Sequence, residues 1–305
     1  MGRAAPAPSA PAEGSAGQAG SRGQEVPVTR RIAVINEKGG SGKTTLVANL
    51  AAFLARERRH RVLALDMDPQ GHLGKVFGAE VRRARRSAVD LLLDTVLGDG
   101  TLDRTCRAPE RPIVPTRIEG LDLVVANKAL ALFPTWDDSP EDVTERLASR
   151  LTRDRAFAGY DYILMDAPPS FGPLTLNVLR AAHEVVVPVP LTYLGLDGCA
   201  EMQRTLDTVR TRYGNPLLRL TLVVPTFYRR TRMAQEVLDC LKGRFPKEIA
   251  HTVVGFHVAL DEAQSRGLSI FEHAPTSRAA RAMAALGEEL ELRGAPGGAP
   301  PEARP

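Results

Sequence analysis

The eight residues Lys38-Gly39-Gly40-Ser41-Gly42-Lys43-Thr44-Thr45 constrain this chain more than any other stretch. They follow an apolar run, Arg31-Ile32-Ala33-Val34-Ile35-Asn36, that reads as a buried strand, and they open an apolar-periodic segment from Thr44 to about Arg56. A glycine-rich loop between strand and helix lets backbone N–H groups approach an anion closely. The helix N-terminus behind it adds partial positive charge. A second apolar run, Arg61-Val62-Leu63-Ala64-Leu65-Asp66, comes after a short turn. Strand, helix and strand in succession form a βαβ unit and imply a parallel sheet.

The alternation continues along the chain. Strands are expected over 121–125, 162–166, 184–189 and 220–224, and helices over about 141–154, 173–182, 196–213, 233–244 and 276–292. Several strands are continuous apolar runs, as in sheets covered on both sides. The predicted fold is therefore α/β: a doubly wound, mostly parallel sheet with helices on both faces. Residues 28–292 read as one domain. An Ala/Pro/Gly-rich arm over 1–27 and a Pro/Gly-rich tail over 293–305 are expected to be disordered. Residues 82–115 fit neither pattern cleanly and are expected to pack as helical cover. The chain has no run of eighteen apolar residues and its arm has no apolar signal core, so neither a membrane span nor a secretory leader is expected.

Cys106, Cys199 and Cys240 are far apart and form no C-x-x-C pair, which argues against a disulfide framework or a zinc site and fits a reducing cytoplasm. His183, His251, His257 and His273 lack metal-ligand spacing. The net charge of +4 is compatible with nucleic-acid contact without demanding it. Of 40 basic residues only six are lysines, and two of these, Lys38 and Lys43, share the glycine loop. A compact ammonium rather than a guanidinium is wanted there.

On these residues alone, Lys43 would reach the β- and γ-phosphates of a nucleotide, the Thr44 hydroxyl would ligate Mg²⁺, and Thr45 would bond further back on the phosphate chain. The usual spacing G-x-x-x-x-G-K-[ST] would put its first glycine at Glu37; Lys38 appears beside it instead. With this extra lysine the loop resembles the deviant Walker A motif of the ParA/MinD family of P-loop ATPases. Two further motifs agree in order: Asp66-Met67-Asp68-Pro69-Gln70-Gly71, and Tyr160-Asp161-Tyr162-Ile163-Leu164-Met165-Asp166-Ala167-Pro168-Pro169. Taken singly, such aspartates are often turn or helix caps.

The resemblance covers about residues 31–291 and points to the ParA/Soj branch. It implies a Mg²⁺-ATP hydrolysis site completed in an ATP-state homodimer. Lys38 would cross to the partner's phosphates, Asp68 would orient the attacking water, Asp166 would hold Mg²⁺ through a water, and Asp66 would shape the metal's surroundings. It also places Gly39 to Gly42 and Pro225 in the nucleotide site. The implied work is positioning or segregating cargo, on nonspecific nucleoid DNA, with a ParB-like or other activating partner, in the cytoplasm. The alternative is a positioning ATPase acting through protein partners with weak or no DNA binding. Arg229, Arg230, Arg232 and Lys242 are the expected DNA contacts, and Arg244 with Lys247, or the Arg82-Arg83-Ala84-Arg85-Arg86 run, are further options. A family landmark that usually reads I-P-R-N-V-R is here Val254-Gly255-Phe256-His257-Val258-Ala259, so both of its arginines are replaced. The tail lacks the apolar face of a membrane-lying helix, so no membrane partner is expected.

Overall fold

β1 (Arg30–Val34) runs through the middle of the sheet and delivers the glycine loop to α1 (Lys43–Arg56). The computed structural model describes residues 1–2, 29–78, 86–93, 112–135 and 143–294. The chain continues through β2 (Val62–Asp66), α2 (His72–Val76), α3 (Ala88–Leu93), β3 (Ile113–Pro115) and β4 (Leu121–Val124). After a 3₁₀ segment, Lys128–Thr135, come α4 (Arg146–Arg153), β5 (Tyr162–Asp166), α5 (Pro173–Ala181), β6 (Glu184–Pro190), α6 (Tyr193–Arg212) and β7 (Arg219–Thr226). The last elements are α7 (Arg232–Arg244), α8 (Val258–Ser265), α9 (Ile270–His273) and α10 (Arg278–Gly294).

The strand order is β3-β4-β2-β5-β1-β6-β7, parallel throughout except for the antiparallel edge pair β3–β4. Successive side chains leave a strand on opposite faces, so each strand feeds two cores. Ile32 and Val34 join Val62, Ala64 and Leu164 under α1 and α10; Ala33 joins Leu63, Leu65, Ile163 and Met165 under the helices of the other face. This is the doubly wound arrangement expected. α1 is sandwiched tightly: Leu46 to Ala55 are all buried, and Gly287 of α10 abuts the Phe53 ring so closely that no side chain would fit there.

The differences from the sequence reading have simple causes. Segment 82–115 supplies a helix, α3, but also the edge strand β3, whose three residues are too few to show a period. The helix expected over 141–154 is observed as Arg146–Arg153; Asn177 accepts the Leu147 N–H at 3.1 Å there, and residues 141–142 lie outside the described set. α10 continues past 292 to Gly294, because Arg293 pairs with Glu289 at 2.6 Å and donates to the Lys247 and Ile249 carbonyls. Residues 3–27 of the expected arm, residues 295–305 of the expected tail, Cys106 and Arg82 to Arg85 lie outside the described residues. Cys240 is a free, exposed thiol.

Candidate nucleotide site

The register of the central strands sets the site. Val34 and Asp66 each lie opposite Asp166, so β1, β2 and β5 end in one row with two aspartates beside the glycine loop. In open parallel sheets this carboxyl edge is where ligands bind.

The loop is held from within. Asn36 donates to the Pro188 carbonyl at 2.7 Å and accepts the Lys38 N–H at 2.8 Å. Gly40 and Gly42 adopt φ of 70° and 95°, left-handed values that side-chain-bearing residues rarely take. That path leaves the N–H groups of Gly39, Gly40, Ser41 and Gly42 without a protein acceptor among the described residues. They lie just ahead of the α1 N-terminus, where a helix favours an anion.

Lys43 is buried, and its ammonium donates to the carbonyls of Asn36 at 3.0 Å and Lys38 at 3.1 Å. Burial lowers its pKa, against the opposing pull of Asp166 and Asp68. The Thr44 hydroxyl donates to Asp166 Oδ2 at 2.6 Å, while Asp166 Oδ1 is buried with no hydrogen-bond partner. Burial pushes Asp166 up to about 7, with Thr44 and Lys43 pulling it back down. An unpartnered buried carboxylate oxygen beside a hydroxyl is a hard oxygen donor set. It suits Mg²⁺, which keeps several waters between itself and the protein. The residues therefore fit Mg²⁺ bound with a nucleotide triphosphate.

Asp66 is fully buried and turned towards the following loop, where it accepts the N–H of Asp68 at 3.2 Å and of Leu73 at 3.0 Å. Burial and the nearby Asp166 raise its pKa well above the carboxylate range. Asp68 accepts the Gln70 N–H at 3.0 Å and lies close enough to Lys43 to act on its charge. Thus the two motifs read separately in the sequence meet around Lys43. Lys38 is half-buried, and its side chain lies along α6 at Gly198, where a Cβ would stand 4.0 Å from Lys38 Cε.

Thr45 receives a 2.6 Å hydrogen bond from the Gln264 amide of α8. Beside it a cavity of about 250 Å³ opens between Gly42, Thr45, Phe227, Val254, Phe256 and Gln264. Pro225 does not line it; Pro225 lies in β7, where its carbonyl accepts the Val254 N–H at 2.9 Å, and the next two residues reach the cavity wall. Asn36, Gln264, Phe227 and Phe256 were not among the expected site residues. Phe256 stands at the first replaced arginine of the Val254-to-Ala259 landmark, whereas Asn36, Phe227 and Gln264 follow no recognisable spacing.

Of the four basic residues expected to meet DNA, all are exposed on the segment from the end of β7 through α7. Arg232 pairs with Glu236 at 2.9 Å, Lys242 lies 3.9 Å from Asp239, and the Arg229 guanidinium sits 4.4 Å from the centre of the Phe256 ring. Arg230 makes no such contact among the described residues. Among those residues no helix is long and apolar enough to cross a membrane.

Comparison with known proteins agrees with this geometry. Residues 29–220 match the model of the AAA domain family. The chain is 43% identical over 265 residues to the chromosome-partitioning ATPase Soj of Thermus thermophilus, covering 87% of this chain and 96% of that one. It is 34% identical over 269 residues to the chromosome partitioning protein ParA of Myxococcus xanthus, covering 88% and 90%. Among solved structures it is similar to cobyrinic acid a,c-diamide synthase from Mycobacterium smegmatis with bound ADP and magnesium, with TM-score 0.67, 29% identity, and coverage of 86% of this chain and 94% of that one. With its loop, its paired aspartates and these relatives in agreement, the chain belongs to the ParA/Soj branch of the ParA/MinD family of P-loop ATPases.

Proposed function

We propose that the protein hydrolyses Mg²⁺-ATP, dimerises in the ATP state, and uses that cycle to position or segregate cargo. The observation that carries this is the meeting of Lys43, Thr44, Asp68 and Asp166 at one loop, with one Asp166 oxygen buried and unpartnered. Lys43 and the loop N–H groups hold the phosphates. Thr44 and Asp166 hold Mg²⁺, Asp166 through a water. Asp68 orients the attacking water, and Asp66 fixes the segment that carries it. Lys38 reaches the partner's phosphates when two copies meet, in the manner of an arginine finger supplied in trans.

The ATP-state dimer binds nucleoid DNA without sequence preference, in the cytoplasm, and a ParB-like or other partner stimulates turnover. Arg230 is the best placed DNA contact, being exposed with no carboxylate partner among the described residues. The second reading, a positioning ATPase that acts through proteins with little DNA binding, is favoured by the engagement of Arg229, Arg232 and Lys242 elsewhere. The cobyrinic acid a,c-diamide synthase among the structural neighbours is 29% identical, against 43% for the Soj relative.

Complementation tests the trans role. Lys38→Ala and Asp68→Ala are each expected to lose phosphate release, and a mixture to regain about half the native rate per mixed dimer. In that dimer one site keeps its own Asp68 and receives an intact Lys38. No recovery on mixing would sink the trans assignment. DNA separates the two readings. ATP-dependent retention of Asp68→Ala on DNA, lost on Arg230→Glu, supports the first; no retention supports the second.

A further inference from the structure

Lysine is scarce in this chain, six among 40 basic residues, so the places where it recurs carry weight. Lys38 and Lys43 stand in the glycine loop. Two more, Lys75 of α2 and Lys128 at the start of the 3₁₀ segment, are far apart in sequence yet line one cavity of about 280 Å³. Pro69, Gln70 and Gly71, the residues directly after Asp68, form another part of its wall. The loop and the turn after β4 meet closely there. Gly71 takes φ of 61°, and a Cβ on it would stand 3.0 Å from the Ala126 carbonyl oxygen. Asn127, beside Lys128, is fixed: its Nδ2 donates to Ser87 Oγ at 2.9 Å and its Oδ1 accepts the Ala129 N–H at 2.9 Å.

Every polar group left open in this cavity is a donor. Neither ammonium has a carboxylate partner among the described residues, and no aspartate or glutamate lines the cavity. Lys242, by contrast, lies 3.9 Å from Asp239. The backbone N–H groups of Asn127 and Lys128 have no protein acceptor among the described residues, nor does the Gln70 side-chain amide. Two ammonium groups on one hollow repel each other and attract an anion. Lysine offers phosphate a compact point charge, and a phosphate group with about two negative charges at neutral pH balances both lysines. The volume lies at the small end of ligand sites, room for a free phosphate or a small phosphomonoester.

We propose that Lys75, Lys128 and the Asn127 turn form a second phosphate site, behind the Asp68 loop and apart from the glycine loop. Its occupant leans on Pro69 to Gly71 and steadies the loop that carries Asp68. Lys75 also lines the hollow of about 400 Å³ between α2 and α8 that Thr44 borders. A phosphate held behind α2 draws that ammonium away from the Thr44 side, where a positive charge opposes Mg²⁺. Occupancy therefore speeds ATP turnover. This consequence rests on the roles proposed above for Thr44 and Asp68; the binding itself does not.

The test is calorimetric titration of inorganic phosphate into the full chain, with Mg²⁺ and a non-hydrolysable ATP analogue saturating so that the glycine loop is filled. One phosphate should bind per chain. Lys128→Gln and Lys75→Gln should each weaken it about tenfold or more, the loss of a charge-assisted hydrogen bond, and Lys128→Arg should recover most of the affinity. No binding at millimolar phosphate, or binding untouched by both glutamine variants, overturns the site. Succinate should bind more weakly, and equal binding overturns the phosphate assignment. Glycerol 3-phosphate separates the sources: tighter binding than phosphate assigns a phosphomonoester, weaker binding the free ion. Earlier elution of Lys128→Gln from DNA columns at saturating ATP would give these lysines to the DNA backbone and overturn the pocket. Phosphate should raise the rate of ADP release by the native chain and leave Lys128→Gln at the native basal rate. An indifferent native rate with phosphate bound overturns the coupling to Asp68. A chain that takes phosphate through Lys128 but not the ATP analogue keeps this site and fails the nucleotide reading.

Discussion

The same sheet buries carboxylates at both of its ends, and the two ends are treated oppositely. At the amino edge, Glu184 begins β6 and is 2% exposed. Arg30 grips both of its oxygens at 2.8 and 2.9 Å, Thr221 donates at 3.0 Å, and Arg219 lies 3.3 Å away. Burial would raise its pKa, but the Arg30 hydrogen bonds and charge, helped by Arg219 and Thr221, hold it below the ordinary value. At the carboxyl edge, Asp166 ends β5 with one oxygen bonded to Thr44 and the other unpartnered, and burial raises it to about 7. Both are buried charges in one protein, yet only one is satisfied by the chain. The satisfied one holds strands together; the unsatisfied one stands beside Thr44 with an oxygen left open.

The ion pair at the amino edge carries the largest expected effect. Glu184→Ala leaves the Arg30 guanidinium partly buried and unpaired, and should cost about 3–5 kcal/mol of unfolding free energy. A chemical denaturation curve measures this, and ATP affinity below the unfolding transition should stay native. If the loss is under about 1 kcal/mol, the pair is ornamental and the contrast fails.

Lys43→Gln acts at the other end and should do the reverse. Nucleotide affinity should fall on the order of 100-fold, the loss expected for charge-assisted hydrogen bonds to phosphate, with little change in the denaturation midpoint. Calorimetry with Mg²⁺-ATP measures it. Tight binding by this variant would remove the loop as the phosphate site.

The two carboxylates should also differ in the sign of their pH dependence. Glu184 is depressed, so its contribution is present above its unfolded pKa of about 4.3 and is lost as pH falls through its lower folded value. Asp166 is raised, so it favours folding most below its unfolded pKa of about 3.9, and that contribution drains away as pH rises to about 7. In the metal-free protein, Asp166→Asn should therefore be at least as stable as the native chain at pH 8, with a flatter stability profile between pH 5 and 7. A variant less stable than native at pH 8 would show that the ionised carboxylate is well accommodated.

The site was far more legible in the sequence than its surroundings. Lys38 to Thr45 are contiguous, so their chemistry survives reading without a fold, and Asp66 and Asp166 each end an apolar strand run. The βαβ alternation likewise fixed the doubly wound class, since period and turn signals are local. What escaped depends on contacts between distant segments. Arg30 and Glu184 are 154 residues apart, Gln264 reaches Thr45 across 219, and nothing in either segment announces the other. Arg229 shows the same limit from the other side. Its arginine cluster is plain in the sequence, but not that the turn at Phe227 sets it over the Phe256 ring. β3 was missed because a three-residue edge strand owes its conformation to β4 and not to its own pattern.

The role proposed for the unfinished carboxylate at the end of β5 is to hold the metal of a phosphate reaction. Phosphate release at saturating ATP, followed as Mg²⁺ is titrated into the native protein and Asp166→Asn, tests it most directly. The native protein should be inactive without Mg²⁺, and the variant should need at least about tenfold more Mg²⁺ for half-maximal rate, the usual cost of removing a carboxylate that orients a metal's ligands. Superimposable titrations, or native turnover indifferent to Mg²⁺, would contradict it.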